Sequence, residues 1–175
     1  MAKKGEISFY EEQKKNKPTV CSLLERLSSE ELRKVGYDLL DYFSSLRTNP
    51  QWFATNSFNI NYKGKRVVRL RIDPHDHNNI GKDGFDLHIY MPDTKILAEY
   101  IASLPKNERQ PYLDGINCRF CNTWCSPGIT IEAGDVSFDN VCDKMANYKR
   151  PKPEHLGAIK KIIELRRQDI ANGKL

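Results

Sequence analysis

Between Phe58 and Met91 the chain adopts a period of two, and that pattern cannot be laid on a helix. Phe58, Ile60 and Tyr62 alternate with Asn59 and Asn61. After Lys63-Gly64-Lys65, which reads as a turn, Val68, Leu70 and Ile72 alternate with Arg69 and Arg71. A polar loop follows, and then Phe85, Leu87, Ile89 and Met91 alternate with Asp86, His88 and Tyr90. Strand side chains point alternately to opposite faces, so three such strands make a sheet with one apolar face and one polar face. The polar face is expected to carry Asn59, Asn61, Arg69, Arg71, Asp86, His88 and Tyr90, and antiparallel sheets often leave such a face in water.

Helical stripes surround this region. Residues 6–17 are highly charged and read as a short helix ended by Pro18, and Leu23, Leu24 and Leu27 suggest one or two further turns. Ser28 with Glu31 three residues on predicts a capping box. Leu32, Val35, Leu39, Phe43 and Leu46 then draw one apolar stripe as far as Asn49-Pro50. Gly36 interrupts it at a cost of about 1 kcal/mol against Ala, which points to a close packing contact. Pro92-Asp93-Thr94 opens another helix, with Ile96, Leu97, Tyr100, Ile101 and Leu104 inward and Pro105 as its stop. Residues 106–117 are ambiguous. Ile129–Glu132 and Val136–Phe138, joined by Ala133-Gly134-Asp135, read as a second hairpin. A basic linker closed by Pro151 and Pro153 leads to a final helix from about Glu154 to Ala171. Leu156, Ile159, Ile162, Ile163 and Ile170 face inward in this reading, with Lys160, Lys161, Arg166 and Arg167 outward.

The expected fold is therefore α+β: an antiparallel sheet packed by N-terminal and C-terminal helices, with a small Cys-rich hairpin subregion. The 175 residues suit a single domain spanning 1–175, with 1–17 read as a frayed end and 118–142 as the Cys-cluster subregion. No apolar run approaches the roughly 18–20 residues of a spanning helix, and the N-terminus leads into charged residues rather than an apolar core. A cytoplasmic protein without a membrane partner is the expectation.

In that compartment thiols stay reduced, so clustered cysteines point to metal or redox chemistry. Cys118, Cys121, Cys125 and Cys142 are spaced C-x2-C-x3-C-x16-C, and the fifth, Cys21, reads as core. Zinc takes four tetrahedral ligands, and a set of four thiolates would make a closed, structural site. An iron–sulfur cluster is the rival occupant. A dithiol pair, Cys118 with Cys121, is the third reading, and inert packed cysteines with no cofactor the fourth. The loop Asp73-Pro74-His75-Asp76-His77-Asn78-Asn79 holds enough imidazoles and carboxylates for a second metal, but it reads better as a solvated loop.

Arg69, Arg71, Asp86, His88 and Tyr90 form the candidate ligand site, suited to a small anion, with His88 as a proton-transfer group oriented by Asp86. No nucleophile stands beside them in sequence, and no G-x-S-x-G or H-E-x-x-H motif occurs. The net charge of +5 is uneven: +2 over residues 1–20, −3 over 21–143 and +6 over 144–175. The basic C-terminal helix supports nucleic-acid binding, and the slightly acidic body opposes it.

Further features run together over most of the chain. These are Asn56-Ser57 before the Tyr62-Lys63-Gly64-Lys65-Arg66 turn, Cys118-x2-Cys121-x3-Cys125 before Pro127-Gly128, Asp139-Asn140-Val141-Cys142, and a closing Leu-Arg-Arg helix. In these the chain from Trp52 onward resembles a family of small bacterial proteins to which no activity is attached. The resemblance implies that the four cysteines act as a unit and nothing about substrate. The reading that follows is a small zinc-stabilised module for ligand sensing or protein interaction. The alternatives are a redox protein or other enzyme using the cysteines or the polar face, and a nucleic-acid-binding protein.

Overall fold

Ser29 rather than Ser28 caps the first long helix, α3 (Glu30–Ser45), its Oγ accepting the Leu32 N–H at 3.2 Å. The one-residue shift puts Glu30 and Glu31 both in the first turn, where negative charge meets the positive end of the helix dipole. The helix stops short of Pro50. Arg47 turns left-handed at φ +54°, and the Thr48 N–H and hydroxyl both donate to the Phe43 carbonyl at 3.0 Å. Two short helices precede it, α1 (Phe9–Lys15) and α2 (Val20–Leu24). The close contact expected at Gly36 is present, since a Cβ there would lie 2.6 Å from Leu24 Cδ2. Cys21 is exposed, because α2 turns Val20, Leu23 and Leu24 inward and leaves the thiol on its outer side.

The computed structural model describes residues 9–73, 84–117 and 128–174. Within them the architecture is α+β, a five-stranded antiparallel sheet with helices on one face and a separate two-stranded sheet. The three strands expected from alternation are β2 (Ser57–Tyr62), β3 (Lys65–Asp73) and β4 (Gly84–Tyr90). Lys63 and Gly64, at φ +46° and +75°, make the tight turn between the first two. Positive φ at both central residues is what a two-residue hairpin with right-twisted strands demands.

Two strands were not expected from sequence. β1 (Gln51–Ala54) pairs with β2 at one edge, across a bulge between Trp52 and Ala54 that breaks its alternation. The other edge is β7 (Met145–Lys149), which the sequence reading placed in a basic linker. It pairs antiparallel with β4, so the sheet order is β1-β2-β3-β4-β7.

The pairing lines side chains up in rows. Phe58, Leu70, Leu87 and Tyr148 make one apolar row across the sheet, and Ile60, Val68, Ile89 and Ala146 the next. Helices α2, α5 (Gln110–Ile116) and α6 (Leu156–Ala171) cover this face, and α3 packs on α6. Phe43, Leu87, Ile89, Ile159 and Ile162 are fully buried, each contributing about 1.5–3 kcal/mol of burial free energy. Between β4 and β7 the chain runs through α4 (Thr94–Ser103), α5 and the hairpin of β5 (Ile129–Ala133) and β6 (Val136–Val141). No helix among the described residues is long and apolar enough to cross a membrane.

Candidate functional site

The uncovered sheet face is built of polar rows. Asn59, Arg69, His88 and Asn147 lie side by side, as do Ser57, Arg71, Asp86 and Lys149. Asn59 is buried on this face, so it is less wet than expected. His88 Nδ1 lies 2.6 Å from Asn147 Oδ1, and Asn147 Nδ2 donates to the Met145 carbonyl at 3.3 Å, which fixes the amide orientation. An amide oxygen only accepts, so Nδ1 is the donor in this contact. His88 is thus oriented by Asn147 rather than by Asp86. Burial pushes the Asp86 carboxyl above its ordinary range, partly offset by His88, Lys149 and Arg71. Arg71 is 44% exposed and lies 3.7 Å from Asp73.

Where β3 begins and β4 ends, the face turns into a set of arginines laid against rings. Arg69 stands 5.0 Å and Arg66 6.0 Å from the exposed Phe53 ring. Arg66 Nη1 donates to the Tyr90 hydroxyl at 2.7 Å. Arg166, from the last turns of α6, reaches the other side of the sheet end, 6.0 Å from the Tyr90 ring, and donates to the Met91 carbonyl at 2.9 Å.

Of these groups, Arg69, Tyr90 and Arg166 border an open cleft of about 800 Å³. Its walls are the end of β4 with Met91-Pro92-Asp93-Thr94, the start of β7 with Asp143-Lys144-Met145, the C-terminal part of α6, and Arg69. Unpartnered donors stand among the cleft's polar groups, and the buried Asn59 Oδ1 beside Arg69 is an acceptor in the same condition. The Nε atoms of Arg69 and Arg166 are buried without a described partner. Tyr90 accepts from Arg66, which leaves its own proton to give. Burial lowers the pKa of the Arg166 guanidinium, an effect that nearby Asp169 and Tyr90 oppose.

Two of the cleft's carboxylates are already committed. Asp169 accepts the Asp93 N–H at 2.6 Å and lies 3.9 Å from Lys174. Asp93 caps α4 through the Lys95 and Ile96 N–H groups and lies 3.7 Å from Lys174. The third, Asp143, is exposed at the mouth beside Lys144. Neither His, Ser nor Cys is among the described residues that line the cleft.

Of the residues singled out by sequence, Arg69 and Tyr90 line the cleft, whereas Arg71, Asp86 and His88 lie farther along the same face. Arg166 was read as outward-facing. Yet it falls on the stripe of Ile159, Ile163 and Ile170, and that spacing was the signal for an inward guanidinium.

Cys142 closes β6 just before the Asp143-Lys144 wall. It is buried, its N–H donates to the Ile116 carbonyl at 2.8 Å, and its Sγ accepts the Met145 N–H at 3.5 Å. Asn117 bridges to Val141, and Gly128 abuts Asn140 so closely that a Cβ there would lie 2.4 Å from Asn140 Oδ1. Both described flanks of segment 118–127 therefore lie against the residues next to Cys142. Cys118, Cys121 and Cys125 lie outside the described residues, as does 74–79 of the Asp73 loop. Among the described residues no three metal-ligating side chains gather.

No family model, curated protein or solved structure matches this chain.

Proposed function

We propose that this protein is a binding module for a small anionic ligand, non-enzymatic, and held together by a zinc ion on Cys118, Cys121, Cys125 and Cys142. The observation that carries the binding reading is the convergence of Arg69 and Arg166 on one cleft, both with buried Nε groups that have no described partner. A buried, unpaired donor costs about 1–3 kcal/mol, and a ligand oxygen would remove that cost on binding. Guanidinium forks match carboxylate and phosphate oxygens better than ammonium groups do.

The zinc reading is supported by the cysteine spacing and by Cys142, buried with an N–H donated to its sulfur. Zinc would supply a rigid crosslink between β6 and the 118–125 stretch, not a reactive centre.

Nucleic-acid binding through α6 has less support. Lys160, Lys161, Arg166 and Arg167 do not stand out into solvent but rest 4.3–6.0 Å from the rings of Tyr42, Tyr100, Tyr90 and Tyr62.

The test has two arms. Unfolding midpoints are measured with increasing phosphate, sulfate and acetate. A ligand at about 100 times its Kd should stabilise by roughly 2.7 kcal/mol. That shift should vanish in Arg69→Gln and Arg166→Gln. No shift with any anion in the parent protein would refute the binding reading. Metal content of protein purified without oxygen should be one zinc per chain, lost in Cys142→Ser. Iron with visible absorbance, or no metal, would refute the zinc reading.

A further inference from the structure

We infer that the ligand of the cleft is an amphipathic organic anion. Its head is a single carboxylate or phosphate held by Arg69, Arg166 and the Tyr90 hydroxyl, and its apolar body lies along Met91, Pro92 and Met145. The inference rests on the anion-binding reading above and adds the body and the count of charges.

Size is the first argument. At about 800 Å³ the cleft falls in the range of sites for organic molecules, roughly 300–1,000 Å³, and an inorganic anion would leave most of it to water. The wall is the second. Met91 and Pro92 line the cleft but are themselves nearly covered, so half-buried Met145, at the start of β7, offers the open apolar surface. Methionine adapts its shape to the groups laid on it, which suits a flexible chain or a ring. The donors lie directly beside this wall: Tyr90 pairs with Met145 across the sheet end, and Arg166 donates to the Met91 carbonyl. Head and body therefore lie side by side.

Charge is the third argument. Four cations and three carboxylates line the cleft, and Lys174 is shared between Asp93 and Asp169. The small surplus suits one or two negative charges. A polyanion would instead meet Asp143 at the mouth and Asp86 farther along the sheet face.

The experiment is calorimetric titration of the full chain with two homologous series, linear carboxylates from acetate to octanoate and alkyl phosphates from methyl to hexyl. Inorganic phosphate, the primary amides of the carboxylates and a single-stranded oligonucleotide are run beside them. Affinity should rise about fourfold per methylene until the wall is covered. The amides should bind at least about tenfold more weakly than the acids, since hydrogen bonds to a charged group are lost. The steeper of the two series identifies the head. Met145→Gln should flatten the increment per methylene, with circular dichroism and the urea midpoint showing that the variant is folded.

Inorganic phosphate binding as tightly as hexyl phosphate would overturn the inference and leave the anion reading intact. Amides binding as well as acids, or no binding by any anion, would overturn both. An oligonucleotide that outcompetes every small anion, with steep salt dependence, would replace the small ligand by nucleic acid.

Discussion

Replacing Gly115 by Ala tests the joint between α5 and β7. An added Cβ at this position would lie 2.2 Å from Tyr148 Cζ and 2.5 Å from Cε2 and Oη. Carbon atoms in good contact sit about 3.5–4.0 Å apart, so the ring must retreat by about 1.3 Å or more. It has little room. Tyr148 is 3% exposed, its hydroxyl donates to the Pro111 carbonyl at 3.0 Å, and the His155 ring stands 5.5 Å away. Overpacking of this kind costs about 1–3 kcal/mol, and the severed hydrogen bond about 1 kcal/mol more. Ala gains about 1 kcal/mol over Gly in helix propensity, so the net loss should be about 1–3 kcal/mol. Urea denaturation of the parent and of Gly115→Ala measures it directly. Repeating the pair in a Tyr148→Leu background removes the crowding atoms, and there Ala should stabilise by about 1 kcal/mol. An alanine that costs the same in both backgrounds, or that leaves the parent within about 0.5 kcal/mol, would show that the close approach does not constrain this joint.

Acid and alkaline behaviour give two further expectations. The Asp86 carboxyl is pushed above its ordinary 3.8 by burial, so the native state keeps its proton where the unfolded chain has lost it. Stability from this group therefore falls as pH rises from about 3.8 through the folded pKa, and Asp86→Asn should raise the unfolding midpoint at neutral pH and remove that slope. A lower midpoint for the variant would mean that Arg71, Lys149 and His88 outweigh burial. The Tyr112 and Tyr148 phenols are both pushed above the ordinary 10, chiefly by burial. The unfolded chain ionises there and the native state does not, so stability should fall as pH climbs past 10. In an absorbance titration these two of the eight tyrosines should ionise only as circular dichroism is lost. Reversible ionisation of all eight with the fold intact would contradict their burial.

Local signals carried the parts of the fold that depend on neighbours in sequence. The Leu32–Phe43 stripe, the Lys63-Gly64 turn and the three alternating strands were legible because periods of 3.6 and two are written within each segment. β1 and β7 were not. A bulge breaks the alternation of the first, and the second has only five residues, Met145–Lys149, among basic neighbours. Its partner β4 is set by contacts across residues 92–143, which no local pattern encodes. The site followed the same division. Arg69 and Tyr90 could be placed on the polar face by parity, and His88 and Asp86 with them. That Asn147 rather than Asp86 orients His88 depends on β7. Arg166 was hidden by its charge. Arginine on a helix reads as solvent-facing until its position on an isoleucine stripe is given more weight, and a long stem can bury while the head reaches a polar cleft.

The pairing of Tyr90 with Met145 is continued by the Met91 N–H, which donates to the Lys144 carbonyl at 3.0 Å. The chain thus leaves the sheet and returns to it through a single doorway, with the described residues 92–117 and 128–143 outside the sheet. Closing a longer excursion costs little, about 0.6 kcal/mol for each doubling of a flexible loop. Length can therefore be added in the excursion's loops at little cost, whereas α5, with Gly115 and Ile116 packed against the sheet, has to keep its place. The cleft is framed by the doorposts themselves: Met91 and Pro92 on one side, Asp143 to Met145 on the other. Such a site can outlast changes in the excursion's loops, and those loops can acquire a task of their own while the site stays in place.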